Sequence, residues 1–403
     1  MKKIITLCLA ALLLFSLFAC SNNNNSSNSS GGNNTPAGSP TNESPSAPAS
    51  NSTGDSAASA SPAATGGGRV GYMDDDVDHF ARDKYEIAYV YSIDIPIHQQ
   101  MAESFGNLGS KYNYNFTAYS AQADTDTFIS LLEVCIDQGM DGVIVAPFVE
   151  VYRRVYEVLD EAGMPFAAPL TPYRDDQDRN MMPAVIFDGY EAGVMLADWL
   201  LDNYKDFFGD IDLSKAGVLT VSLLIDKDIR ARADGGRDRY LERVPGMENM
   251  IVEMDMSDTV FSIQGAFDKA ATIFAANSDK EYWFIISGSE EWGIGALRAA
   301  ESIGLADKTV LATVGSAFAF GGEWEDPANS PSWRVLVPEN TDQFAATLIP
   351  GLIALIDGRA TFDTLWINER APGDFATISY LNIELATRDN YKDYIAKSDA
   401  LYR

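Results

Sequence analysis

A short apolar stretch, DGVIVAP at residues 141–147, constrains the fold of this chain more than any other feature. A continuously apolar strand needs cover on both faces, as the strands of a parallel sheet have. Apolar residues at helical spacing precede it over residues 127–135 and follow it over residues 151–162, and a second short apolar run lies at residues 164–170. This order of helix, strand, helix and strand predicts a doubly wound α/β fold, in which ligands bind at the carboxyl ends of the strands.

The beginning of the chain has the pattern of a secretory signal over residues 1–20, with two lysines, an apolar run and a small residue before Cys20. Its end, LFAC, resembles the lipobox of bacterial lipoproteins, which implies cleavage before Cys20 and a lipid on its sulfur that anchors the protein to the cell membrane. The alternative is an ordinary signal peptide that a cysteine follows by chance. Residues 21–83, rich in Asn, Ser, Gly and Pro at their start, are predicted to form a disordered tether.

The charge of the chain limits its partners. Its formal net charge is -29, and the acidic residues are dispersed along the sequence. A surface of that sign repels phosphate backbones, so nucleic acid is not expected as a partner, and a polyanionic ligand is disfavoured. Beyond the leader and Cys20 the chain has one cysteine, Cys135, which lies on the apolar face of a predicted helix. We therefore expect Cys135 to be a core residue, and we expect no disulfide framework.

An enzyme is disfavoured by the motifs that the sequence lacks. It has two histidines, His79 and His98, no Gly-x-Ser-x-Gly elbow, and no His or Cys cluster at metal spacing. The stretch GIGALR imitates a dinucleotide-binding loop, but Arg298 stands where the third glycine belongs. A carboxylate pair for glycoside hydrolysis stays open among 58 acidic residues. We therefore expect a binding protein without metal or cofactor.

Several motifs occur in an order that is typical of one family. A first strand with Ser and Pro in the following loop precedes DGVIVAP and GMPFAAP, and then come FDGYEAG, RADG, GIGALR and TRDNY. From about Lys84 to the end, the chain resembles the type I periplasmic binding proteins of the ribose-binding and galactose-binding group. The resemblance implies two doubly wound parallel-sheet lobes, joined by a three-segment hinge, which close on a ligand held in the cleft between them.

The resemblance also implies where the chain crosses between the lobes. The crossings fall near Asp188, near Glu339 and Asn340, and around residues 376–380. The first lobe then comprises residues 84–187 and 340–375, and the second lobe comprises residues 188–339 and 376–403.

Ligand contacts are implied at the ends of several strands. In the first lobe they are Ser92, Asp94, His98, Phe148, Glu150, Tyr173 and Arg174. In the second lobe and at the second crossing they are Arg232, Phe261, Ser289, Glu290, Trp292, Glu339 and Asn340. Such residues suit a sugar, because carboxylate, amide and guanidinium groups pair with hydroxyls and aromatic rings stack on C–H faces. Stacking by Trp292 or Trp324 and simple core packing of these side chains are both open.

The chain departs from the family at several of these positions. Ile97 and His98 stand where ribose-binding proteins tend to have two phenylalanines, and Ser289 and Glu290 replace an Asn-Asp pair. Ala317 replaces an aspartate that often binds sugar hydroxyls. A scaffold can keep its fold while its ligand changes, so pentose specificity does not carry over.

The sequence therefore predicts a lipid-anchored, extracytoplasmic substrate-binding protein of an ABC importer. We expect a monomer that binds a small polar ligand, a sugar before other classes, and delivers it to a membrane permease. The alternative is a sensory lipoprotein that presents a sugar or furanose signal to a membrane receptor kinase. A repressor of the lac type is excluded by the secretion signal and the missing helix-turn-helix.

Overall fold

The computed structural model describes residues 77–259, 262–366 and 373–399, which belong to one unit, Pro62–Arg403. The predicted signal peptide, the lipidation site Cys20 and residues 21–76 of the predicted tether lie outside the described residues. Within the described part of the chain, no helix has the length and apolar character needed to cross a bilayer.

The first sheet has six strands, and every pairing in it is parallel. Its strands are Tyr85–Tyr91 (β1), Tyr114–Ser120 (β2), Gly142–Ala146 (β3), Phe166–Pro169 (β4), Ala184–Phe187 (β5) and Ile378–Leu381 (β11), in the order β11-β5-β4-β3-β1-β2. The predicted strand in DGVIVAP is β3, whose residues are all buried. Its apolar run and its cover on both faces are therefore confirmed.

The second sheet repeats the arrangement. Its strands are Ala216–Ser222 (β6), Ile251–Asp255 (β7), Tyr282–Ser287 (β8), Thr309–Val314 (β9), Trp333–Val337 (β10) and Ala386–Thr387 (β12), in the order β12-β10-β9-β8-β6-β7. The pairing of β10 with β12 is antiparallel, and the others are parallel. The predicted class, two doubly wound α/β lobes, is confirmed.

Helices connect the strands and cover both sheets. They are Pro96–Asn107 (α1), Gly109–Tyr112 (α2), Thr125–Asp137 (α3), Tyr152–Glu161 (α4), Gly189–Phe208 (α5), Lys227–Arg243 (α6), Ile263–Ala276 (α7), Glu290–Ser302 (α8), Thr341–Ile356 (α9) and Tyr391–Asp399 (α10). α5, α6 and α9 begin at side-chain caps, because Asp188, Asp226 and Asn340 accept hydrogen bonds from backbone amides of the first turn of these helices.

Two predicted boundaries are wrong. β11 pairs with β5 of the first sheet, so the chain enters the second lobe for the last time after Leu381 and not at residues 376–380. The tether was predicted to reach residue 83, yet Arg82 donates to the carbonyl oxygens of Tyr112 and Asn113 at 2.9 and 3.0 Å, and His79 is buried. These contacts hold the residues before β1 against the first lobe.

Cys135 of α3 is fully buried in the first-lobe core, as predicted. Burial raises the pKa of its thiol to about 11. The reactive thiolate is therefore scarce at neutral pH, which fits a core side chain and not a nucleophile.

Candidate functional site

A cleft lies where the carboxyl ends of the two sheets face each other. It is lined by the loops after β1, β3 and β4 of the first lobe, by those after β6, β8 and β9 of the second lobe, and by Glu339 at the second crossing. The empty space is about 1020 Å³, including open solvent at the mouth. This is the place where a doubly wound fold binds its ligands.

The cleft brings together many of the residues that the sequence predicted for it. They are Ser92, His98, Phe148, Glu150, Arg232, Ser289, Glu290 and Glu339. Phe261 lies outside the described residues. The predicted residues Asp94, Tyr173, Arg174, Trp292 and Asn340 do not line the cleft.

Three of these exceptions lie in the first lobe. Asp94 is exposed and accepts a hydrogen bond from the hydroxyl of Tyr91 at 3.2 Å. Tyr173 is 5% exposed, because its ring packs on those of Tyr152 and Tyr156, with centroids 5.7 and 6.0 Å apart. Arg174 forms an ion pair with Asp228 of the second lobe and does not line the cleft.

The other two predicted residues that do not line the cleft are Trp292, which packs in the core, and Asn340, which caps a helix. Trp292 is fully buried in the second-lobe core, so of the two possibilities left open for it, the structure has core packing. Trp324 is also buried, against Trp333 and Tyr391 at centroid distances of 5.5 and 5.8 Å. Asn340 accepts hydrogen bonds from the amides of Asp342 and Gln343 at 3.1 Å, which fixes it as the cap of α9.

The wall from the first lobe is mainly apolar. Ile95, Ile97 and Leu170 line it, and Phe148 and Tyr152 supply phenyl rings. Among the described residues, no phenyl or indole ring of the second lobe lines the cleft. A ligand can therefore rest a C–H face on this wall.

His98 adds a neutral polar group to the same wall. Its Nδ1 lies 2.6 Å from the hydroxyl of Tyr89, and its ring stacks on Tyr91 with centroids 5.4 Å apart. Burial lowers the pKa of His98 to about 4. The imidazole is therefore uncharged at neutral pH, and it can donate or accept one hydrogen bond without adding charge.

The wall from the second lobe is acidic. Glu290 is 3% exposed and accepts hydrogen bonds from the amides of Phe318 and Ala319 at 3.0 and 3.1 Å. Burial raises its pKa to about 8, with the neighbouring carboxylates of Glu291 and Glu339 acting in the same direction against the two amides. Glu290 is therefore largely protonated at pH 7.

Sequence reasoning missed two acidic residues of this wall. Glu291 is 8% exposed and accepts a hydrogen bond from the hydroxyl of Ser289, and burial raises its pKa. Asp226 caps α6, and burial raises its pKa as well. The signal for Asp226 was an acid directly after a buried strand and before a helix, and the signal for Glu291 was a second acid beside Glu290.

Arg232 connects the cleft to the hinge. Its Nη1 donates to the carbonyl of Gly288 at 2.8 Å, and its Nη2 lies 3.0 Å from Oε1 of Glu339 at the second crossing. Its guanidinium also lies 4.9 Å from the ring of Phe187, which ends β5 at the first crossing. Arg232 therefore lines the cleft while it holds three segments of the protein together.

Two ion pairs join the lobes near the cleft. Nε of Arg174 in the first lobe lies 3.4 Å from Oδ2 of Asp228, in the first turn of α6. Lys227, the first residue of α6, pairs with Asp178 of the first lobe. We call these two pairs the interlobe latch. Because each pair needs the lobes close together, the latch favours a closed arrangement.

Comparisons with known proteins agree with this architecture. A family model described as a periplasmic binding protein domain matches residues 88–322. A solute-binding protein of Actinobacillus succinogenes with bound D-allose has 15% identity and a TM-score of 0.58, with 77% of this chain and 100% of that chain covered. One of Bacillus halodurans with bound myo-inositol has 16% identity and a TM-score of 0.58, with 78% and 98% covered.

A third structure of the same shape is the fructose binding periplasmic domain of a hybrid two component system. It has 14% identity and a TM-score of 0.59, with 79% of this chain and 97% of that chain covered. A search of curated proteins finds no match. At these identities the structural likeness shows the fold alone, and the residues of the cleft must carry any argument about the ligand.

Proposed function

The chain belongs to the periplasmic binding protein domain family, and from that membership we propose that it is the extracytoplasmic substrate-binding lipoprotein of an ABC importer. It binds a small polar ligand, a sugar before other classes, in the interlobe cleft, and it hands the ligand to a permease without catalysis. The observation that carries this proposal is the cleft itself, where the carboxyl ends of two sheets and a hinge residue, Glu339, surround one cavity.

The chemistry of the two walls supports a polyhydroxy ligand. The first lobe offers the ring of Phe148 and aliphatic side chains to C–H groups, and the second lobe offers carboxyl, hydroxyl and guanidinium groups to hydroxyls. Of the similar structures described above, one holds D-allose, one holds myo-inositol and one is described as fructose binding, and these are molecules of this kind.

Anchoring and delivery complete the proposal. The lipobox-like end of the leader supports a lipid on Cys20, and the stretch after it is long enough to let a monomeric domain reach a permease. The sensory alternative needs the same cleft and the same closure, so no residue of the cleft favours it.

We expect one sugar or polyol to raise the melting temperature of the purified full-length chain in detergent. The readout is intrinsic fluorescence during heating, against pentoses, hexoses, disaccharides, polyols and nucleosides. A ligand that binds only the folded state adds about 1.4 kcal/mol of stability at a tenfold excess over its dissociation constant. A folded, ligand-free protein that responds to none of these compounds would contradict the proposed sugar function.

The interlobe latch gives a second prediction. With a ligand from that screen, Asp228→Asn is expected to raise the dissociation rate about 1.4- to fivefold, because a partly exposed ion pair contributes roughly 0.2–1 kcal/mol. Stopped-flow displacement measures this rate. Glu242→Gln is the matched control, since the ion pair of Glu242 is with Arg239 on the same helix. Equal rates in both variants would show that the latch does not hold the closed form.

A further inference from the structure

The charged groups that line the cleft are unbalanced. The acidic members are Glu150, Asp226, Glu290, Glu291 and Glu339. Arg232 is the one basic side chain among the described residues that line it, and its Nη2 is engaged by Glu339. His98 is neutral at pH 7, because burial lowers its pKa to about 4. Glu290 is largely protonated at pH 7, but the four other carboxyl groups still outnumber the single guanidinium. The cleft therefore has more acidic groups than Arg232 can compensate.

Glu291 shows this imbalance most clearly. It is 8% exposed, its partner is the hydroxyl of Ser289, and within the described residues it has no ion pair with a lysine or arginine. The carboxyl group of Glu339 raises the pKa of Glu291, and those of Glu291 and Glu339 raise the pKa of Glu290. Arg232 attracts Glu291 and Asp226 as well as Glu339, so one guanidinium is shared among three carboxyl groups. A buried carboxylate with so small a share of a counter-charge costs free energy, which it avoids either by taking up a proton or by meeting a cation from outside.

Glu291 and Asp226 can each receive a further donor. The hydrogen bonds seen in the structure use Oε2 of Glu291, which accepts from Ser289, and Oδ1 of Asp226, which accepts from the amides that begin α6. The second oxygen of each carboxylate is thus left for a ligand. An ammonium group carries three donors and a positive charge, so one ammonium can donate to more than one carboxylate.

We propose that the ligand of this cleft is an amino sugar, with its ammonium group held by Glu291 and Asp226 and its C–H face on Phe148. This inference rests on the proposed function and names the substrate class within it. A neutral hydroxyl can bond to a carboxylate but leaves its charge uncompensated. A metal ion is the other cation to weigh, but no group of metal-binding side chains was found in the described part of the chain.

Two further features agree with a cationic polyhydroxy ligand. Nε of Arg232 is buried and has no hydrogen-bond partner in the structure, so the guanidinium retains donor capacity toward hydroxyl oxygens. The formal net charge of -29 attracts cations toward the protein surface and raises their rate of encounter with it.

The test uses matched sugars that differ in charge and little else. Glucose, glucosamine and N-acetylglucosamine, with the galactose and mannose series, are titrated calorimetrically into the full-length chain in detergent. At least one amine is expected to bind about tenfold or more tightly than both of its neutral counterparts, as for a buried charge pair. The smaller and the larger neutral sugar bracket the amine, so size alone cannot produce that order.

Variants then locate the ammonium group. Glu291→Gln and Asp226→Asn remove one charge each, and Asn still provides the oxygen that caps α6. Both are expected to abolish most of the preference for the amine, measured in each variant as the ratio of its affinity to that of the matched neutral sugars. Glu103→Gln is the control, because Glu103 is exposed on α1 and its loss changes the net charge equally. If Glu291→Gln fails to fold, Asp226→Asn decides.

The outcomes separate this inference from the proposed function. Neutral sugars that bind as tightly as their amines, or a preference that survives in both variants, would overturn the amino-sugar inference and leave the proposed function standing. Binding of a neutral sugar from the wider screen, with no binding of any amine, would have the same meaning. If no sugar binds, neutral or cationic, both the inference and the proposed function are overturned.

Discussion

Replacing Arg232 with methionine is expected to lower the free energy of unfolding by about 3–5 kcal/mol, the usual cost of removing one partner from a buried ion pair. The variant leaves Glu339, whose side chain is 11% exposed, without its counter-charge, and it leaves the carbonyl of Gly288 without its donor. Methionine keeps apolar contact with the ring of Phe187, so the loss reports on charge and hydrogen bonding and less on packing.

A double-mutant cycle tests this explanation. Urea unfolding of Arg232→Met, Glu339→Gln and the double variant gives the coupling between the two side chains. We expect the double variant to recover much of the loss, because it no longer buries an uncompensated charge. Single variants that each lose less than about 1 kcal/mol, with additive effects in the double variant, would contradict a buried pair. If Arg232→Met lowers ligand affinity without lowering stability, Arg232 is a ligand contact, as the sequence predicted, and not part of a buried structural ion pair.

The parts of the fold that were predicted are those that local patterns encode. Strand β3 is buried on both faces, so its apolar run identifies it without reference to the rest of the chain. The motifs FDGYEAG and RADG also have a physical basis in the structure. A side chain on Gly193 would collide with the carbonyl of Arg232, and one on Gly235 would collide with that of Tyr190, so these glycines let α5 and α6 pack closely.

The wrong boundaries depend on distant parts of the chain. β11 is a strand of four residues at the edge of the first sheet, and its partner β5 lies far earlier in the sequence. Nothing in the segment Ile378–Leu381 by itself reveals which sheet it joins. The same holds for His79, whose burial depends on packing against Tyr112 in the first lobe.

The site was predicted in its location but not in the direction of each side chain. Glu290, Glu291 and Trp292 are consecutive at the start of α8, and each step along a helix turns a side chain by about 100°. Glu290 and Glu291 line the cleft, whereas Trp292 turns into the core. Spacing along the sequence shows that residues are near the carboxyl end of a strand, but the rotation of the helix decides which of them a ligand can touch.

The free energy of unfolding is expected to fall by roughly 2 kcal/mol as the pH rises from about 6.5 to 8, because of Glu290. Its pKa is about 8 in the folded protein against an ordinary value of 4.5, so between these values the folded state holds a proton that the unfolded state has lost. Stability from such a group is complete below the unfolded pKa and is lost as the pH rises through the folded one. Glu291 and Asp226, whose pKa values are also raised by burial, act in the same direction.

The pH range of the experiment matters, because at lower pH His98 changes the free energy of unfolding in the direction opposite to Glu290. The pKa of His98 falls from 6.5 to about 4 on burial, so its contribution is lost as the pH falls below 6.5. At pH 6.5 His98 is still half protonated in the unfolded state, and its contribution fades over about the next pH unit, so the slope toward pH 8 belongs to the buried carboxyl groups. Urea unfolding at several pH values from 6.5 to 8 measures it, with Glu290→Gln as the comparison. Glutamine accepts through one oxygen only, so this variant should be less stable at pH 6.5 but should have a clearly flatter profile. Equal slopes in both proteins would mean that Glu290 is already ionised in the folded state, and that its two amide donors outweigh its burial and its carboxylate neighbours.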